Sequence, residues 1–236
     1  MNKKIIYIAE FDADVDDIVA AHWLYKENVL FGVVLDPLPK SKEGWDRVKQ
    51  CENLGINILK EIPKDTDIII LGGGFKLLSE YIKDNYLGVL IANGGFVGKN
   101  LNPNPLEKFK NKTEIRTFNF NIDVNSTDKV LKSKNIGKIY LIGKNVCHDI
   151  KNTRLNIWKN ESELLDIYNV NETKRLHDVL AAKEGLILEG IINEKSLINY
   201  KEVYPYNLGL NGNMTLWGSK LEKTDYHKTI SAINWK

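Results

Sequence analysis

The chain lacks most of the features that mark specialised protein classes. Its only cysteines, Cys51 and Cys147, lie far apart and form no CxxC pair. A disulfide framework or a paired-thiolate zinc site is thereby excluded, and two reduced thiols are expected. Net charge is nearly absent: 33 Lys and Arg against 31 Asp and Glu give +2 over 236 residues. That balance excludes an acidic tail protein and argues against a dedicated nucleic-acid binder. No run approaches the ~18 apolar residues that span a bilayer, so no membrane association is expected. The apolar stretch after Met1-Asn2-Lys3-Lys4 is only Ile5–Ala9, ending at Glu10. This is too short for a signal-peptide core, and the expectation is a soluble cytoplasmic protein. There is no internal repeat, low-complexity tract or clear linker.

What is present suffices for folding. Apolar residues make up 43% of the chain, enough to bury a core without a staple. The length fits one domain over 1–236. Apolar runs at Ile5–Ala9, Phe31–Leu35, Ile68–Leu71, Val89–Ala92 and Ile139–Ile142 lack polar alternation. Such runs suit strands covered on both faces. Helical stretches lie between them at Asp16–Lys26, Lys42–Leu54, Phe75–Asp84 and Ser126–Ser133, and 161–192 reads as largely helical. From Val203 the composition turns aromatic and β-branched with interspersed glycines, which predicts short C-terminal strands. The expected fold is α/β: an open, mostly parallel sheet flanked by helices, with a Rossmann-like core. The stretch 94–116, rich in Asn and Pro and then Lys, is long for a compact domain and reads as a flap or a mobile insertion.

The most informative segment is Glu10-Phe11-Asp12-Ala13-Asp14-Val15-Asp16-Asp17, with four aspartates in six residues at the end of the first strand. Ligands bind at strand ends in open α/β sheets. Crowded carboxylates invite a hard divalent cation. The plainer reading is that Asp16 and Asp17 serve the start of the next helix. An EF-hand loop fails, because its sixth and twelfth positions hold Asp17 and Trp23. Asp12-Ala13-Asp14-Val15 resembles the nucleophile motif of haloacid-dehalogenase phosphatases, which would use Asp12 and Asp14 with Mg²⁺. The late strand Leu141-Ile142-Gly143-Lys144-Asn145 lacks that family's acid after Gly143.

Asp12, three intervening residues and then Asp16-Asp17 entering a helix more closely resembles the opening of the inosine–uridine type nucleoside hydrolases. That family usually has a further Asp where this chain has Glu10. Further along, Leu176-His177-Asp178-Val179 resembles its late His-Asp motif. Phe118-Asn119-Phe120-Asn121-Ile122-Asp123 resembles its Glu-Phe-Asn…Asp element, with Thr117 at the Glu position. Ile70–Phe75 falls at its Thr-Gly-Pro-Leu-Thr-Asn turn, and Asn93-Gly94-Gly95 with Asn100 at its Gly-Gly…Gly-Asn element. Asn145-Val146-Cys147-His148 echoes a further element, in which His148 is read as structural. The resemblance runs in order from residue 5 to about 182, in a chain shorter than usual for the family.

The resemblance implies Ca²⁺ held by Asp12, Asp17, Asp178 and the Gly72 carbonyl. It implies Asp12 as the base activating water, and His177 as the leaving-group acid. Asp16 would hold the ribose 2′-hydroxyl, and Asp36 the 3′-hydroxyl. Asn119, Thr117 and Asn100 complete the substrate contacts, with Thr117 and Asn119 on the 5′ side. The implied reaction is hydrolysis of a ribonucleoside to base and ribose in nucleoside salvage, by a homo-oligomer (dimer or tetramer) acting on a small molecule. Thr117 and the short chain point to specialisation, for which a queuosine-like deazapurine nucleoside is one candidate. A non-catalytic nucleoside-binding relative is the alternative outside the enzymes. Trp23, Trp158 and Trp217 are the aromatic candidates for stacking on the base.

Overall fold

A computed structural model of the chain describes residues 3–13, 15–149, 161–171, 173–211 and 214–236; of residues 161, 162, 210, 211 and 214 it describes the backbone only. Asp14 and Trp158 lie outside the described residues.

The continuous apolar runs form strands. They are β1 (Ile5–Ala9), β2 (Gly32–Leu35), β3 (Ile58–Leu59), β4 (Ile68–Leu71) and β5 (Leu87–Ala92). Then come β6 (Glu114–Ile115), β7 (Ile136–Leu141), β8 (Ile198–Asn211), β9 (Met214–Lys220) and β10 (Thr229–Trp235). Helices α1 (Asp16–Lys26), α2 (Lys42–Asn53) and α3 (Lys76–Asp84) connect the first strands. The later helices are α4 (Phe118–Ile122), α5 (Val124–Lys132), α6 (Lys144–Cys147), α7 (Glu161–Ile167) and α8 (His177–Leu188).

The strands lie in the order β3-β2-β1-β4-β5-β7-β10-β8-β9-β6. Pairing is parallel from β3 across to β10. It is antiparallel among β10, β8, β9 and β6. Successive residues of β1 serve opposite faces. Ile5, Tyr7 and Ala9 join the cluster that includes Ile18 and Val19 of α1 and Val179 of α8. Ile6 and Ile8 join the cluster with Leu78 and Ile82 of α3 and Val130 of α5. Helices on both faces explain why the strand sequence shows no polar alternation. The fold is thus the α/β class expected, with a mostly parallel sheet between helices.

Three details differ from expectation. Helix α5 starts at Val124 rather than Ser126, because the Asp123 carboxylate accepts the Ser126 N–H and caps the helix at 3.0 Å. The C-terminal strands are not short: β8 runs for 14 residues, since it pairs with β10 on one side and β9 on the other. The stretch 94–116 is anchored. Phe96, Val97 and Asn102 are buried, and the Asn102 amide donates to the Ile233 carbonyl at 2.6 Å.

The chain leaves β1 on either side, towards β2 and, through a longer path, towards β4. A crevice opens beyond the strand ends at such a switch point. β1 ends there just before Glu10, and β4 just before Gly72.

Candidate active site

A cavity of about 290 Å³ lies at this switch point. It is near the lower end of small-ligand clefts. Its acidic part is built by three elements. The end of β1 supplies Glu10, the first turn of α1 supplies Asp16 and Asp17, and the start of α8 supplies His177 and Asp178. All four carboxylic residues are at most 8% exposed.

Each acid is held by a donor of the chain. The Asp16 carboxylate accepts the N–H groups of His177 (2.7 Å) and Asp178 (3.3 Å). Asp16 therefore serves the N-terminus of α8, where a carboxylate meets unsatisfied N–H groups and a favourable helix dipole. Asp17 Oδ1 accepts the Tyr7 hydroxyl at 2.7 Å and the Glu10 N–H at 3.1 Å. Asp178 Oδ1 accepts the Asn93 amide at 2.7 Å. Glu10 curls over the following turn, accepting Asp12 N–H and Ala13 N–H, each at 3.1 Å. The surrounding carboxylates leave their mark on Tyr7, whose hydroxyl pKa is driven well up by burial and then by Asp17 and Asp178.

Gly72 lies between these acids. A Cβ there would stand 2.3 Å from the Tyr7 hydroxyl, 2.6 Å from Asp17 Oδ1 and 3.0 Å from Asp178 Cγ. Only glycine leaves that space open. The Gly72 carbonyl accepts the Asn119 amide at 2.6 Å, and the same amide reaches the Asn93 carbonyl at 3.0 Å. Asn119 thus ties the ends of β4 and β5 together as well as lining the cavity.

Of the residues expected from sequence, Asp16, Asp17, Gly72, Thr117, Asn119, His177 and Asp178 line the cavity. Three others are placed elsewhere. The Asp12 carboxylate turns away to accept the Lys40 N–H (2.6 Å), the Ser41 N–H (3.1 Å) and the Ser41 hydroxyl (2.6 Å), next to the start of α2. These bonds hold its carboxyl below the usual range. The Asp12 carboxylate therefore does not line this cavity, and the acid of this segment that does is Glu10. Asp36 is buried and accepts the Leu77 N–H at 2.7 Å near the start of α3. Asn100 is exposed. Trp23 and Trp217 are buried in the two cores rather than in the cavity. The aromatic that does line it is Phe118, a residue 55% exposed.

The cavity also gathers residues the sequence reading set aside. Asn93 follows β5, Lys144 and Cys147 come from α6, and His148 directly follows that helix. The His148 ring lies 5.2 Å from that of His177, tilted by 34°. Burial first, then Lys144, His177, Lys108 and Arg175, push the His148 pKa down to about 3. It is a neutral imidazole at pH 7. The signal available in the sequence was the Asn-Val-Cys-His element itself, directly following a strand.

Among the described residues, no three His, Cys, Asp or Glu side chains stand together as a ready metal-ligating cluster. The donor chemistry nevertheless suits a hard cation. Asp17 and Asp178 bracket the space a Cβ of Gly72 would fill, and buried carboxylates at this density are stabilised by positive charge.

No protein-family model matches the chain. A curated protein of Aquifex aeolicus (strain VF5), described as uncharacterized, is 30% identical over 177 residues, which cover 69% of this chain and 58% of that protein. The chain thus matches little more than half the length of that relative. Among solved structures, the inosine-uridine preferring nucleoside hydrolase from Bacillus anthracis aligns with 99% of this chain and 94% of its own, at a TM-score of 0.58 and 12% identity. At that identity the likeness establishes the fold: the chain has a nucleoside hydrolase-like architecture. Among the described residues, no helix is long and apolar enough to cross a membrane.

Proposed function

We propose that the protein hydrolyses the N-glycosidic bond of a ribosyl compound, releasing the free base. One observation carries the reading. Glu10, Asp16, Asp17 and Asp178 converge with His177 on a single cavity at the switch point of a nucleoside hydrolase-like fold.

Cleavage of such a bond passes through an oxocarbenium-like transition state. Water is needed on one face of the sugar, and a proton on the departing base. Glu10, with its carboxylate fixed over the turn by two N–H groups, takes the proton of the attacking water. Asp16 accepts a sugar hydroxyl while remaining anchored on α8. As the C1′–N bond breaks, its electron pair goes to the base nitrogen, which His177 protonates. Neutral His148, packed on His177, adds no competing charge. Phe118 offers an exposed ring for the base to stack on. Calcium would be held by Asp17, Asp178, Glu10 and the Gly72 carbonyl, where it would polarise water and grip vicinal hydroxyls.

The substrate is a small molecule, and a modified deazapurine riboside of the queuosine kind remains within the proposal, as does a salvage role. A homo-oligomer in the cytoplasm is part of the same reading. The test is base release from a panel of ribosides, free and 5′-phosphorylated, natural and modified, with and without added calcium. Release from at least one, abolished by Asp17→Asn, is expected. Binding of a riboside without release from any would refute catalysis and leave a nucleoside-binding protein.

A further inference from the structure

The cavity carries a second chemistry that hydrolysis of a plain nucleoside does not use. Lys144 lines it, and the charged groups that act on its ammonium are Cys147, Arg116 and Arg175. Lys108 bonds to Nδ1 of His148, another lining residue, and the charges it meets are Arg175 and Lys144. Lys144 and Lys108 thus lie in the field of Arg175, and Lys108 also in that of Lys144, while Arg116 acts on Lys144. Burial first, and then their mutual repulsion, lowers the pKa of both lysines. Like charges so assembled are stabilised by an anion.

Two polar atoms point to the same ligand. The Thr117 hydroxyl belongs to a lining residue 1% exposed, next in sequence to Arg116, and it has no hydrogen-bond partner. Nε2 of His148 is likewise buried and unpartnered. An ammonium, a hydroxyl and an imidazole nitrogen around one cavity, in the field of two guanidinium groups, match a phosphoryl group, which offers several oxygens to several donors. A neutral ribose hydroxyl offers one. The acids account for the sugar ring and the bond that breaks, which leaves the exocyclic 5′ position as the place for the phosphate.

Resting on the N-ribosyl hydrolase reading, we propose that the substrate is a nucleoside 5′-monophosphate, its phosphate received by Lys144, Thr117 and His148 within the field of Arg116, Arg175 and Lys108. Water adds at C1′, the C1′–N bond breaks with its electron pair on the base, and the products are the free base and ribose 5-phosphate.

The experiment compares matched pairs of nucleoside and nucleoside 5′-monophosphate across the same riboside panel, natural and modified, with inosine and uridine and their monophosphates among them, by base release and by calorimetric binding. Inorganic phosphate serves as competitor. The monophosphate is expected to exceed the nucleoside in kcat/KM by on the order of 100-fold, as charge-assisted contacts allow. Phosphate should compete with it. Lys144→Gln should collapse the monophosphate-to-nucleoside ratio about tenfold or more, and Lys144→Arg should restore most of it. Nucleosides cleaved as well as their monophosphates would overturn the phosphate site and leave the hydrolase reading standing. Monophosphates bound more tightly than nucleosides, with Lys144 dependence but no base release, would retain the site and overturn the hydrolase reading. Neither cleavage nor preferential binding, with no competition by phosphate, would overturn both.

Discussion

Filling the space between the acids tests the geometry of the cavity without reference to any substrate. In Gly72→Ala the new methyl meets the Tyr7 hydroxyl at 2.3 Å and Asp17 Oδ1 at 2.6 Å. Tyr7 is fully buried and Asp17 is 5% exposed, so neither can swing into solvent. Overpacking of this kind costs about 1–3 kcal/mol, and the double contact places Gly72→Ala at about 2–3 kcal/mol. Tyr7→Phe removes one contact atom and one hydrogen bond to a carboxylate, at about 1.5–3 kcal/mol. In the double variant the methyl occupies the volume the hydroxyl vacates. The two losses should then sum to at least about 1 kcal/mol more than the double variant loses. Urea unfolding of the four proteins at pH 7 measures the cycle. Additivity within about 0.5 kcal/mol would mean that the residues do not touch, and the arrangement of Tyr7, Gly72 and Asp17 would be wrong.

Asp17→Asn keeps an oxygen acceptor for Tyr7 and Glu10 but removes a charge; calcium affinity should fall about 10- to 100-fold with little change in unfolding midpoint, and unchanged affinity by calorimetry would remove Asp17 from the ion site. His177→Ala should lose about 10²–10⁴-fold on natural substrates but retain activity on a ribosyl nitrophenolate, which departs without a proton; equal losses on both would assign His177 to binding or structure. His148 titrates at an ordinary 6.5 when unfolded and near 3 when folded, so its contribution to stability is complete above pH 6.5 and is lost as pH falls towards 3. Allowing for solvent screening of this half-buried ring, about 1 kcal/mol of the loss between pH 7 and pH 5 should disappear in His148→Gln, and identical pH profiles would contradict the shift. Gly185→Ala gains about 1 kcal/mol of helix propensity. Its methyl would stand 2.4 Å from buried Ile91, so a net loss of about 1 kcal/mol is expected, and a raised Tm would show that α8 does not pack this closely on β5.

By itself, the sequence determined the parts of this protein that depend on local pattern. Apolar runs of five and four residues, bounded by charged residues or glycine, located β1 and β4 with their helices, because strands buried on both faces tolerate no polar alternation. The spacing of Asp16-Asp17 and of His177-Asp178 marked two helix starts, and both pairs line the cavity because α1 and α8 pack on the same face of the sheet. Which acid faces the cavity was decided only by tertiary structure. Asp12 and Glu10 are two residues apart in the same segment, and nothing local separates their roles. The unsatisfied N–H groups near the start of α2 capture Asp12, while the turn after β1 folds Glu10 inward. Asp36 went the same way, drawn to the start of α3. Lys144 and Lys108 gave no local signal, and His148 gave only that of the Asn-Val-Cys-His element after a strand. They meet because β7 lies beside β5 and the anchored stretch 94–116 returns across the strand ends, and electrostatic fields follow distance in space rather than separation along the chain.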